Sequence, residues 1–565
     1  MRRIQLLRIF ILAFTLILIS RLFYIQIIEN QIYRDQADRQ YVKRGQAVYD
    51  RGTIYFSPRT GSIISAATLA SGYSVTIEPK KIEHPEDVFN ALSGILSMDE
   101  SILLAKIEGN KTYVEIAKHV DEKIAERIQN LNLAGVGTYR ERWRIYPGGR
   151  TAANVLGFVG FQEDGTTLAG SYGLERYYND ILARDSSDLY TNFFAQIFSD
   201  IGKVFDKKNI SARGDIVTSI EPTVEQELEK KIASVEMTWK SDLTGGIIMD
   251  PVTGEIYAMA VSPSFDSNNF ANESNEVFDN PLINGVYEMG SIIKPLTMAA
   301  GIDAGVITPE TTYPDYGFVM INGAKISNFD GKGRGTVPMQ EVLNQSLNTG
   351  MAFVALKLGN EKMSKYFKSY GFGKETGIDL PGEIHGLIKN LDSPREIEHA
   401  TAAFGQGIAM TPIETVRALS ALGNGGILPN PHIVKRIDYV TGISKTLSYD
   451  NTERVLKSET SETITRMLVE VVDKALLNGT VKQPRYSIAA KTGTAQMALE
   501  TGRGYYEDRY LHSFFGYFPA YNPRFIIFLF TVYPKNAEYA SHTLTTPFID
   551  LVKFLINYYD IPPDR

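Results

Sequence analysis

Tyr287-Glu-Met-Gly-Ser291-Ile-Ile-Lys294-Pro295 runs directly into the helix-like stretch Leu296 to Ala304. A serine and a lysine three residues apart at a helix start share one face, one turn from each other. That spacing puts an amine within reach of a hydroxyl whose proton it can take. No other Ser-x-x-Lys occurs in the chain. A solvated helix face reads the same way, so the meaning of the pair depends on what lies around it.

Working outward, a second polar element is Ser346-Leu347-Asn348, placed in a break before the apolar helix Met351 to Leu358. Taken alone it is also a plain helix N-cap. A third is Lys491-Thr492-Gly493-Thr494, which ends or continues a strand. Its glycine would let another backbone or a ligand approach that strand closely, and the alternative is a strand-end turn with an exposed lysine.

The segments around these elements predict a sheet. Thr244 to Met249 and Glu255 to Val261 are strand-like and joined by the turn Asp250-Pro-Val-Thr-Gly254, as in a hairpin. Ser487 to Gly493, Ser513 to Phe518 and Arg524 to Tyr533 read as three later strands. Thr223 to Val235 and Phe548 to Tyr558 read as helices. The layout suits one antiparallel sheet with strands drawn from both ends of an α+β domain.

Upstream, Gly72 to Ile77 and Asn154 to Phe161 predict strands, and Arg140 to Arg150 a basic strand and turn. Val88 to Leu96, Glu100 to Ile107, Asp121 to Leu131 and Tyr172 to Leu182 predict helices, and Asp185 to Arg213 a linker or long hairpin. Residues 30–214 hold no catalytic constellation, which leaves a scaffold or interaction module. Arg2, Arg3 and Arg8 are followed by the apolar run Ile9 to Ile19, which resumes after Arg21 from Leu22 to Ile28, so that the stretch Leu6 to Ile28 spans 23 residues. That is long enough for one crossing of about 20 residues, with the amino terminus inside. No small-x-small cleavage site follows, so a retained anchor is expected rather than a removed leader.

Composition narrows the chemistry. The 565 residues include no cysteine, which excludes disulfides, thiolate catalysis and cysteine zinc sites. Only 7 histidines occur, none in an HExxH pair, and His512 and His542 read as structural. No glycine-rich phosphate loop speaks for ATP, and a net charge of -7 gives no global field for nucleic acid.

Helix-borne Ser291-x-x-Lys294, then Ser346-x-Asn348, then strand-borne Lys491-Thr-Gly493 follow the motif order of the serine penicillin-recognising enzymes. The chain resembles a class B penicillin-binding protein, the membrane-anchored peptidoglycan D,D-transpeptidase. The likeness extends through Arg51-Gly52-Thr53-Ile54, Tyr172-Gly173-Leu174-Glu175 and Phe404-Gly-Gln-Gly407 to Thr411-Pro412. Tyr73 to Lys80 and Phe404 to Pro412 are most similar to the division-specific (septal) branch. Phe56-Ser-Pro-Arg-Thr-Gly61 and Ser219-Ile220-Glu221 depart from the family pattern, outside the three motifs.

The resemblance implies a tail and anchor over 1–30, an α+β pedestal of the dimerisation type over 31–213, and a transpeptidase domain over 214–565. The last would be an antiparallel sheet flanked by helices, with an all-helical subdomain. It implies Ser291 as nucleophile, Lys294 as general base, Ser346 as proton relay and Asn348 as the residue orienting Lys294 and the substrate amide. Lys491 would supply charge for a terminal carboxylate that Thr492 and Thr494 bind, along the strand opened by Gly493. The backbone N–H groups of Ser291 and Thr494 would form the oxyanion hole. No metal or organic cofactor is implied. Expected partners are stem peptides, β-lactams, a glycan polymerase and other division or elongation membrane proteins, outside a bacterial cytoplasmic membrane. A D,D-carboxypeptidase, a β-lactamase, an elongation-type transpeptidase and a non-catalytic division scaffold remain alternatives.

Overall fold

The structure is a computed structural model, and it describes residues 50–109, 111, 113–162, 167–184, 213–450, 453–499, 501 and 504–565. The expected anchor lies outside the described residues, and so does the expected linker Asp185 to Arg213 except for Arg213. Among the described residues, no helix is long and apolar enough to cross a membrane. The chain divides into two compact units, one holding residues 70–143, the other 51–69, 144–184 and 213–565.

In the smaller unit, Tyr73 to Ile77 pairs antiparallel with Val114–Val120. Helices Pro85–Ser93, Glu100–Ile107 and Glu122–Asn130 stand where periodicity placed them. Two of them begin on aspartate caps: Asp99 accepts from the backbone of Ser101 and Ile102, and Asp121 from Ile124. Val75, Ile77, Leu92, Leu103, Ile107 and Ile128 form the core between helices and strands.

The larger unit is built on a five-stranded antiparallel sheet of β1 (Leu243–Met249), β2 (Ile256–Ser262), β3 (Ala489–Ala498), β4 (Tyr505–Phe518) and β5 (Phe525–Val532). Its order is β2-β1-β5-β4-β3, so the strands do come from both ends of the domain. Alternate residues face opposite sides. Ile248, Phe514, Ile527 and Leu529 pack with α1 (Pro222–Trp239) and with a carboxy-terminal helix, Thr545–Tyr558. Ile247, Phe515, Phe528 and Phe530 pack on the opposite side, with Ile292, Ile293 and Leu296. Burial on both faces is why these strands read as nearly continuous apolar runs.

Three expectations need correction. Asn154 to Phe161 is a short helix, Ala153–Leu156, followed by a strand, Val159–Phe161. Gly157 breaks it at φ 72°, where a side chain would strike the Tyr172 carbonyl. The helix expected over Tyr172 to Leu182 is two pieces, Gly173–Tyr177 and Asn179–Leu182. The expected all-helical subdomain is not free of strands, because the chain between the Ser291 and Ser346 motifs forms two hairpin-like pairs. It carries the antiparallel pairs Thr312–Asp315 with Gly335–Pro338 and Phe318–Ile321 with Ala324–Ser327. Glycines with positive φ at 317, 323, 331 and 335 close these turns.

The Arg51-Gly and Tyr172-Gly-Leu-Glu175 elements meet in a buried charge cluster. Glu175, fully buried, receives Arg51 at 2.5 Å and Arg144 at 2.6 Å. Burial pushes its carboxyl up, but Arg144 and Arg51 outweigh burial and hold it below the usual range. Its depressed pKa makes this contribution full above the unfolded-state value and lost as pH falls through the folded one. Glu175→Ala, which removes the buried carboxylate that pairs with Arg51 and Arg144, is expected to cost about 3–5 kcal/mol of stability in chemical denaturation.

Candidate active site

Ser291 lies in a tight 3-10 turn, Gly290–Ile293, immediately before α2 (Lys294–Asp303) rather than within that α-helix. The turn is held from several sides. Gly290 takes φ 63° and donates its N–H to the Gly405 carbonyl at 3.2 Å. Tyr287 exchanges backbone hydrogen bonds with Met410 at 2.9 and 3.0 Å. Ser513 on β4 donates its hydroxyl to the Met289 carbonyl at 2.8 Å. The Phe404-Gly-Gln-Gly407 stretch is therefore a clamp on the serine turn. Thr411 then opens α3 (Pro412–Ser420) with a complete capping box to Glu414.

Lys491 falls in the interior of β3, the edge strand, and is 3% exposed, so a strand-end turn with a solvated lysine does not describe it. Along β3, Lys491 and Gly493 are buried while Thr492 and Thr494 are half-exposed on the other face. A Cβ on Gly493 would stand 2.3 Å from Ser513 Oγ and 2.7 Å from the Met289 carbonyl. The close approach permitted by this glycine is thus to the backbone just before Ser291. Gly493→Ala is expected to displace that turn and slow acylation by a penicillin roughly 100-fold in stopped-flow measurements.

Ser346 is the meeting point. Lys294 donates to its carbonyl at 2.5 Å and to its hydroxyl at 3.0 Å, and Lys491 donates to the same hydroxyl at 3.0 Å. Both lone pairs of Ser346 Oγ are engaged, which leaves its proton to be donated elsewhere. Ser346 is no N-cap: the following helix, Asn348–Leu358, begins after Leu347, and Ser346 sits at φ 55°. A non-glycine residue in that region is strained and is kept where the surroundings require it.

Lys294 is completely buried, and burial first, then the charge of Lys491, drives its pKa well below the lysine range. Burial lowers Lys491 to about 7. Two amines bonded to one oxygen stand at most about 6 Å apart, where like charges in a dry site repel strongly. A neutral amine is therefore accessible near neutral pH, as base chemistry needs.

Not every expected contact forms. Lys294 is bonded to Ser346, and among the described residues Ser291 Oγ has no hydrogen-bond partner. Asn348 does not bond Lys294; its amide donates to the Ser327 carbonyl at 2.9 Å. The Thr494 hydroxyl accepts from the Ala540 N–H at 3.1 Å and keeps its proton available. Ser513 and Ser327 have no mark in the sequence, since a serine in an apolar strand or hairpin looks like any other. His512 is buried, bonded to Thr543 at 2.9 Å, and lowered by burial to about 4, so it stays neutral in a structural place. Among the described residues, no group of acidic or histidine side chains could hold a metal ion.

A serine in a turn held from several sides, followed by a buried lysine of lowered pKa that is bonded to a second serine, is an arrangement able to support serine acyl transfer. Residues 244–552 match the penicillin binding protein transpeptidase domain and residues 48–188 the penicillin-binding protein dimerisation domain. The chain belongs to this family and is a class B penicillin-binding protein, a serine-type transpeptidase. It is 29% identical over 545 residues to stage V sporulation protein D of Bacillus subtilis, spanning 94% of this chain and 82% of that one. It is 26% identical to peptidoglycan D,D-transpeptidase FtsI of Escherichia coli K12, spanning 97% of this chain and 90% of that one. Penicillin-binding protein 3 of Mycobacterium tuberculosis in complex with aztreonam superposes with TM-score 0.68 at 22% identity, over 92% of this chain and 98% of that one.

Proposed function

We propose that the protein crosslinks peptidoglycan stem peptides at the division septum through an acyl-enzyme on Ser291. The observation that supports this most is the single Ser346 hydroxyl held at 3.0 Å by both Lys294 and Lys491. Neutral Lys294 takes the Ser291 proton as the hydroxyl oxygen attacks the penultimate carbonyl of a D-Ala-D-Ala terminus. The oxyanion rests on the N–H groups of Ser291 and Thr494. Ser346 passes a proton to the departing D-alanine amine, and the acceptor amine of a second stem peptide then resolves the ester.

Thr492 and Thr494 hold the donor's terminal carboxylate in the positive potential of Lys491, and Asn348 positions its amide. The donor adds along β3 as a strand, since an edge strand leaves N–H and C=O groups open. A β-lactam acylates the same serine. The division into an anchor (1–30), a pedestal (31–213) and a catalytic domain (214–565) belongs to this reading. So do a single span with the amino terminus inside, an extracytoplasmic catalytic domain, and a glycan polymerase with other division proteins as partners.

The test is incubation of the purified full chain with a D-Ala-D-Ala donor and an acceptor amine, followed by mass spectrometry. Crosslinked dimer with released D-alanine is expected. Hydrolysis without dimer would make the protein a carboxypeptidase, and rapid turnover of penicillin a β-lactamase. A fluorescent fusion spread along the side wall of dividing cells would replace the septal role with an elongation role.

A further inference from the structure

A cavity of about 570 Å³ opens on the larger unit, lined by none of the three catalytic motifs. It reaches the β2 edge of the sheet through Tyr257, whereas Lys491 is on β3 at the opposite edge. Four strand spacings put these edges roughly 19 Å apart. A pocket of this volume is the size of a small-molecule site.

Its lining is cationic in a chain whose net charge is -7. Arg59, Lys435, Arg436 and Arg524 face it, with Glu255 as the one carboxylate. Arg436 is held by Asp438 at 2.8 Å, and Arg59 by Asp560 and the Tyr558 carbonyl. Lys435 and Arg524 have no ion pair among the described residues; Arg524 lies over the Tyr559 ring, 4.5 Å from its centroid. Burial lifts the Glu255 carboxyl above its usual range while Lys435 pulls it back. A phosphate group, with more acceptor oxygens than a carboxylate, can be met by several of these side-chain donors at once, and the arginine fork suits its geometry.

We propose that this cavity is a second ligand site, remote from the acyl-transfer centre, that binds a small molecule or headgroup bearing a phosphate or diphosphate. Arg524, held against the Tyr559 ring, and Lys435, partly balanced by Glu255, supply the charge for it. The site does not depend on the septal reading or on the catalytic roles assigned above.

The full chain in detergent would be titrated calorimetrically with inorganic pyrophosphate, and separately with vesicles of phosphatidylglycerol or of phosphatidylcholine. The wild type is expected to bind saturably, and the Lys435→Ala/Arg524→Ala double variant at least tenfold more weakly. Labelling of Ser291 by fluorescent penicillin should be equal in both, which shows that the variant is folded. Loss seen with soluble pyrophosphate identifies a free phosphate ligand; loss seen only with anionic vesicles identifies a lipid headgroup. Absence of saturable binding in both arms, or binding undiminished in the double variant, would overturn the proposal.

Discussion

Ser291→Ala is expected to remove all covalent labelling by fluorescent penicillin and to lower peptide crosslinking by roughly 10⁶-fold, the scale of losing a serine nucleophile. The fold should survive, because the turn is held by Gly290, Tyr287 and Met289 through their backbones rather than by the serine side chain. Thermal unfolding of the variant should match that of the wild type. In cells, unchanged septation and crosslinking would point instead to a protein whose value lies in its contacts. An adduct that persists in the variant, located by mass spectrometry, would move the nucleophile elsewhere.

Lys294→Met is expected to reduce acylation by about 10²–10⁴-fold, the usual contribution of a general base. Its pH dependence carries more information. Burial and Lys491 depress Lys294, so acylation should rise with pH as this amine loses its proton, well below the range of an ordinary lysine. In the empty site Lys491, lowered by burial to about 7, discharges as pH rises through that value and with it goes the attraction for a carboxylate. The profile of kcat/KM, which reports the free enzyme, should therefore be a bell. Because the two amines are coupled, its limbs belong to the pair and not to one residue. A bound carboxylate stabilises the charged form of Lys491, so the descending limb of kcat should move to higher pH. A flat profile between pH 6 and 9, a window that spans the Lys491 value of about 7, would remove Lys491 from the role of attracting the carboxylate.

The sheet was legible because each of its strands is buried on both faces or lies beside a clear turn. Phe525–Val532 is buried at every position, and Asp250 to Gly254 marks the hairpin. Local segments whose pattern was short were less legible. Asn154 to Leu156 is as apolar as a strand, and the close crossing at Tyr172 that shapes it is a tertiary fact. The hairpins before Ser346 were missed because turn glycines there interrupt only brief apolar runs.

For the site, residue types and order were sufficient to pick out Ser291, Lys294, Ser346, Asn348 and Lys491 as candidates, since rare chemistry-bearing motifs keep their order along the chain. Spacing alone put Lys294 beside Ser291. Tertiary structure instead turned its ammonium to Ser346, set Lys491 on the same oxygen and gave Asn348 to Ser327. The reason is physical. A helix turn limits which side chains can meet, but the partner a buried amine takes depends on which acceptors distant segments bring into the same dry space. The chain by itself determined which groups were available and where the strands run; only packing decided which proton each group can reach.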